Sequence, residues 1–176
     1  EQITLEGIDH LELADFEYAR RMGREIKLIA NLRLSEQGTQ VYVLPLMIKK
    51  DEMLAKISGS NNAVTLSGKF SEDITLIGKG AGSLPTASAI VSDLNKVLRH
   101  PEPFPPPPIT SELVLEPMEN IRFRHTLRFE VRDHPGIFGH IGSIFEKYSI
   151  NIYALEQLPQ YHRIGKEGDE IVIFTL

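Results

Sequence analysis

The spacing of hydrophobic positions changes from segment to segment, and each change marks an element. In "ADFEYARRMG", Phe16, Ala19 and Met22 share one face of a short helix, with Asp15 as its N-cap and Gly23 to end it. "EIKLIANLRL" alternates strictly, with Ile26, Leu28, Ala30, Leu32 and Leu34 on one side, the period of a half-buried strand. After the turn "SEQGTQ" comes "VYVLPLMI", where Val41, Tyr42 and Val43 favour a strand and Pro45 favours an edge or a bulge. These two strands are expected to pair antiparallel. The runs "NAVTLSG" and "EDITLIG" predict two more short strands around a turn at Gly68. The second leads into "GKGAGSLPTASAIVSDL", in which Pro85 opens a helix and Ala87, Ile90, Val91, Leu94, Val97 and Leu98 form an apolar stripe.

Periodicity stops at "RHPEPFPPPPITSELVLEPMEN". Its prolines forbid helix and favour a stiff polyproline II spacer, so residues 100–120 read as a linker between residues 1–99 and 121–176. Beyond it, Leu127, Phe129 and Val131 line a strand, "DHPG" makes a turn, and Ile137, Ile141, Ile144, Phe145 and Tyr148 lie along one side of a helix. "INIYALEQL" is a second strand, "PQYHRIGKEGD" a loop and "EIVIFTL" a third strand. The fold class is therefore α+β, an α/β sandwich: a small, mostly antiparallel sheet with helices, then a ferredoxin-like β-α-β-β unit lacking its last helix and strand.

Composition narrows the chemistry. The 176 residues carry a net charge of −5 with basic and acidic side chains interleaved, which gives no footprint for nucleic acid. No stretch approaches the ~20 apolar residues of a membrane span, and the start "EQITLEGIDH" is acidic, so a soluble, cytoplasmic protein with no membrane partner is expected. The absence of cysteine removes disulfides, thiolate nucleophiles and cysteine-held zinc. Both ends look cut, which predicts a piece of a longer protein.

Candidate sites are few. In the loop from Gly78 to Gly82, small residues and the exposed amides of a following helix suit a phosphate or carboxylate. The pattern is G-x-G-x-G after an antiparallel-type strand, however, not the G-x-G-x-x-G of a parallel β-α-β unit, and on pattern alone a structural turn is favoured. The six histidines show no metal-ligand spacing, and His134 and His140 do not share a helical face, so no metal is expected. The acids from Glu6 to Glu17 read as a solvated face with a cap, and alternation puts Lys27 on the polar side of its strand.

Two resemblances attach to these motifs. "EGI", "ADFEYARRMGREIKLIA", "GSNNAV" and "GKGAGSLPTASAIVSDL", in that order, resemble the carboxy-terminal portion of homoserine dehydrogenase; "RDHPGIFGHIGSIFEKYSINI" resembles an ACT domain. Together they resemble the longer, feedback-regulated homoserine dehydrogenases, cytoplasmic homodimers that interconvert L-aspartate 4-semialdehyde and L-homoserine with NAD or NADP. That family carries its dinucleotide fold in an amino-terminal Rossmann half and its catalytic lysine upstream of the matched segment. The resemblance thus implies no catalytic residue here, and a piece inactive by itself.

What the resemblance does transfer is a dimerising sheet and a helix that returns to cover the nucleotide domain. Gly82 is the position that lies against the dinucleotide, with Gly80 behind it. In the ACT-like part it implies a small amino-acid effector, threonine in the family, held between two copies. The matching positions are Asp133, His134, Pro135, Gly136 and Ile137 in the turn, with Asn151 and Gln157 on the second strand. Asp133 as a plain helix N-cap, and Asn151 as a strand-edge amide, stand beside these roles. A second reading of the piece is a non-catalytic, amino-acid-binding regulatory and dimerising module.

Overall fold

The computed structural model describes residues 3–100, 113–132, 134–158 and 169–175. Their order is β1 (Thr4–Leu5), α1 (Leu13–Arg21), β2 (Arg24–Leu34), β3 (Thr39–Lys49), β4 (Asn61–Leu66), β5 (Ile74–Lys79), α2 (Ser83–Arg99), β6 (Thr126–Arg132), α3 (Ile137–Lys147), β7 (Ala154–Leu158) and β8 (Asp169–Thr175). Single 3-10 turns form at Leu54–Lys56 and Met118–Asn120. The described strands make three sheets, β1-β3-β2, β4-β5 and β6-β8-β7, which is the α+β class expected. The chain divides into two compact units, Glu1–Met47 with Leu115–Leu176, and Ile48–Val114.

In the first unit β2 and β3 form a hairpin closed by the Ser35 N–H donating to the Gly38 carbonyl at 2.8 Å. The two-residue β1, too short to show a period, adds parallel to β3 with Thr4 opposite Tyr42. Alternation along β2 correctly groups Leu28, Ala30, Leu32 and Leu34, but that face is exposed, Leu34 by 74%. Alternation says which residues share a face; what covers the face is a tertiary matter.

Helix α1 corrects the expectation for Asp15. The N-cap is Glu12, and Asp15, three residues on, accepts the Glu12 N–H at 2.8 Å, one arm of a capping box. The buried stripe is Ala14, Asp15, Tyr18 and Ala19, while Met22 is exposed. Two alanines let the helix approach its neighbours closely, and so Tyr18 is 1% exposed.

The β6-β8-β7 sheet has the expected β-α-β-β connection. β6 and β7 each run antiparallel to the central β8, and so parallel to one another. Phe129, Val131, Ile141 and Ile152 pack around Phe145 of α3 on one face. On the other face Arg128 and Glu156 reach α1: Arg128 Nη1 lies 2.5 Å from Asp15 Oδ2, and Arg21 Nη1 donates to Glu156 Oε1 at 2.7 Å. Of the residues expected along one side of α3, Phe145 is buried and Ile137 and Ile141 are half-buried, while Ile144 and Tyr148 are exposed. β7 also starts later than expected, so Asn151 precedes the strand instead of lying on it. The chain leaves α3 through a left-handed Ser149 (φ 55°), with Ile150 N–H returning to the Phe145 carbonyl at 2.9 Å.

The far end of the proline-rich segment is tied down. Glu116 N–H donates to the Thr39 carbonyl at 3.0 Å, and its buried carboxylate accepts from Ser35 Oγ at 3.0 Å and Gln40 Nε2 at 2.9 Å. The spacer expected over 100–120 is thus an anchored strap over its last residues; residues 101–112 lie outside those described.

The second unit contains the β4-β5 hairpin, with Val64 opposite Leu76, Leu66 opposite Ile74, and the Thr65 and Thr75 hydroxyls 2.9 Å apart. It also contains α2, which begins at Ser83, two residues before the expected Pro85. None of its residues is buried: Ile90, Val91, Leu94, Val97 and Leu98 form an exposed stripe.

Candidate functional site

The regular glycine spacing at 78, 80 and 82 resolves into two devices. Gly78 pairs with Asn62 across the β4-β5 ladder, and a strand returns to the same face every second residue, which brings Gly80 to the same side. There a Cβ at Gly80 would collide with Asn62 Nδ2, so the Asn62 amide fills the space. Gly80 N–H donates to the Ser60 carbonyl at 2.8 Å, and Lys79 Nζ donates to Ser60 Oγ at 3.1 Å. The third glycine belongs to the helix: Gly82 is the N-cap of α2 at φ 128°, a conformation that favours glycine, and a Cβ there would meet Pro85 at 3.3 Å. Its carbonyl accepts both the Thr86 N–H at 3.1 Å and the Thr86 hydroxyl at 2.8 Å.

This loop can flank an anionic group through the exposed head of α2, where Gly82 and Ser83 bring backbone to the surface. At Gly80 the Asn62 amide lies directly against the glycine. Asn62 was legible in the motif "GSNNAV" but drew no assignment. The signal that could have found it is the pairing of that run against "GKG" in a hairpin.

The second candidate site is in the other unit. Gly136, at φ 94°, is the N-cap of α3; Asp133, for which a cap or a ligand role was weighed, lies outside the described residues. His134 and Pro135 form the exposed turn, with the Ile137 N–H donating to the His134 carbonyl at 3.3 Å. His134 Nδ1 lies 3.1 Å from the Pro135 carbonyl oxygen, and the His134 and His140 rings meet edge to face at 6.2 Å. Gln157, half-buried, stands in register with Phe129, both strands pairing there with Val172, and Phe129 packs against α3. Because β6 and β7 run parallel, the turn follows the end of β6 while Asn151 precedes the start of β7. One copy therefore places the turn and Asn151 at opposite ends of its sheet, with Gln157 toward the turn.

Among the described residues no group of three histidine, aspartate or glutamate side chains could hold a metal ion, and no helix is long and apolar enough to cross a membrane.

A family model described as "Homoserine dehydrogenase" matches residues 1–94. A homoserine dehydrogenase of Neisseria gonorrhoeae is 34% identical over 97% of the chain and 41% of its own length; one from Pseudomonas aeruginosa is 34% identical over 86% and 37%. A crystal structure of a homoserine dehydrogenase from Thiobacillus denitrificans superposes with a TM-score of 0.74 at 32% identity, over 99% of this chain and 41% of that one. The chain spans about two fifths of the length of these relatives.

Proposed function

Because the chain belongs to the homoserine dehydrogenase family, we propose that it is the carboxy-terminal part of an NAD- or NADP-dependent enzyme that interconverts L-aspartate 4-semialdehyde and L-homoserine. The observation that carries this reading is the family match over residues 1–94, which includes the glycine loop and the first part of α2. A bound dinucleotide supplies hydride transfer to the carbonyl. This chain's contribution is the head of α2: Gly82 and the first helical amides flank the cofactor, and the exposed stripe from Ile90 to Leu98 packs on a nucleotide-binding half. The exposed leucine face of β2 pairs two subunits in a homodimer.

The β6-α3-β7-β8 segment acts as an ACT-type sensor of a small amino acid, threonine first. Two copies complete the site. The turn His134–Ile137, with Asp133, comes from one copy and Asn151 with Gln157 from the other; that the described turn and Asn151 stand at opposite ends of one sheet supports this division for Asn151. The ligand carboxylate faces the amides that open α3, and the Asn151 amide binds its polar end.

Because the chemistry is assigned upstream, the 176 residues alone are expected to show no NADP-dependent oxidation of homoserine. Turnover well above background would overturn that assignment. Calorimetry with threonine, against other small amino acids as controls, is expected to give saturable heat. Folded protein that gives none with any of them would contradict the sensor.

A further inference from the structure

The face of the β6-β8-β7 sheet turned away from α3 carries one row that α1 grips at both ends. Arg128 on β6 and Glu156 on β7 stand in register, each opposite Ile173 of the central strand. Arg128 Nη1 binds Asp15 in the first turn of α1, with Nη2 3.4 Å from Glu12; Glu156 accepts from Arg21 in the last turn. The dimensions agree. From Asp15 to Arg21 a helix rises about 9 Å, and two strands separated by a third lie about 9.6 Å apart. α1 therefore crosses the strands as a pinned bar. At its carboxy-terminal end α1 runs through Met22 and Gly23 into β2, which it contacts, and its Tyr18 and Ala19 are each 1% exposed. Pinning is specific to register, because a one-residue slip of either strand would turn Arg128 or Glu156 to the α3 face.

We propose that α1 is a mechanical relay, passing displacements of β7 and β6 to β2 through the Glu156–Arg21 and Arg128–Asp15 bridges. Glu156 and Gln157 are neighbours on opposite faces of β7, so a ligand drawing on Gln157 from the α3 side moves Glu156 on the α1 side. This last step rests on the amino-acid sensor proposed above; the coupling of sheet to helix does not.

The test is amide hydrogen exchange in α1 and β2 after Glu156→Ala. That change lies on β7, leaves the Arg21–Glu17 pair at 2.9 Å in place and removes a side chain 24% exposed; an unchanged circular dichroism spectrum and a cooperative unfolding transition establish that the variant is folded. The expected result is exchange about three- to tenfold faster over α1 and the start of β2, with β6, β7 and β8 unchanged. Unchanged exchange in α1, or an equal rise throughout the chain, overturns the relay. A second arm adds threonine. Wild type should shift its α1 exchange on binding, and Glu156→Ala should still give saturable threonine heat by calorimetry without that shift. An identical shift in both proteins overturns the relay. No heat in either removes the sensor, while the ligand-free arm still decides the relay.

Discussion

Helices α1 and α2 have the same kind of sequence and opposite fates. Both carry an apolar stripe, yet the nine residues of α1 bury four, including an aspartate, while the seventeen of α2 bury none. The shorter helix is held by Tyr18 in the core and by arginine bridges at each end. The longer one has its intrahelical hydrogen bonds and a few local pairs, such as Lys96 with Asp93 at 3.1 Å. An amphipathic period thus shows that a face exists, and not that the same chain covers it. Helical stability in proteins comes mostly from packing, so α1 is fixed by its own unit, while α2 buries no residue.

Three substitutions break or sharpen this contrast. Tyr18→Ala should cost about 3–5 kcal/mol, as for other large buried aromatics, and denaturant unfolding should show α1 released with the unit. Arg128→Met should cost about 2–3 kcal/mol. It leaves the Asp15 carboxylate, 8% exposed, without its cation, and one-sided loss of a buried pair costs more than an exposed bridge. The smallest effect concerns pH. Burial raises the pKa of Tyr42, whose ring packs edge to face on Phe123 at 5.2 Å, and Arg33 offsets part of the shift. A phenol with a raised folded pKa binds its proton more tightly when folded. Its contribution is then complete below about pH 10 and lost as pH rises through the folded value. Wild type should lose stability above about pH 10 more steeply than Tyr42→Phe, as measured by urea midpoints across that range.

What the sequence revealed follows from which interactions are local. Strand and helix positions for β2, β4, β5, α3 and β8 came from alternation, turn residues and helical spacing, which act within a few residues. The misplaced features depend on contacts far along the chain. Asp15 was read as an N-cap because its type favours that position, whereas Arg128, 113 residues away, draws it inward as the third helical residue. The anchoring of Glu116 by Ser35 and Gln40 has no local signature at all. At the glycine loop, the spacing was visible and its meaning was not. Only the pairing of Gly78 with Asn62 separates a strand glycine, and Gly80 just past the strand end, from one helix cap.

The contrast between the helices is tested most directly by residue-resolved amide exchange on the wild-type protein. The amides of Tyr18 and Ala19 should be strongly protected, and those from Ile90 to Leu94 should exchange orders of magnitude faster, near the rate of an isolated helix. Equal protection in α1 and α2 would contradict the account, since it would mean that α2 is already covered within this chain.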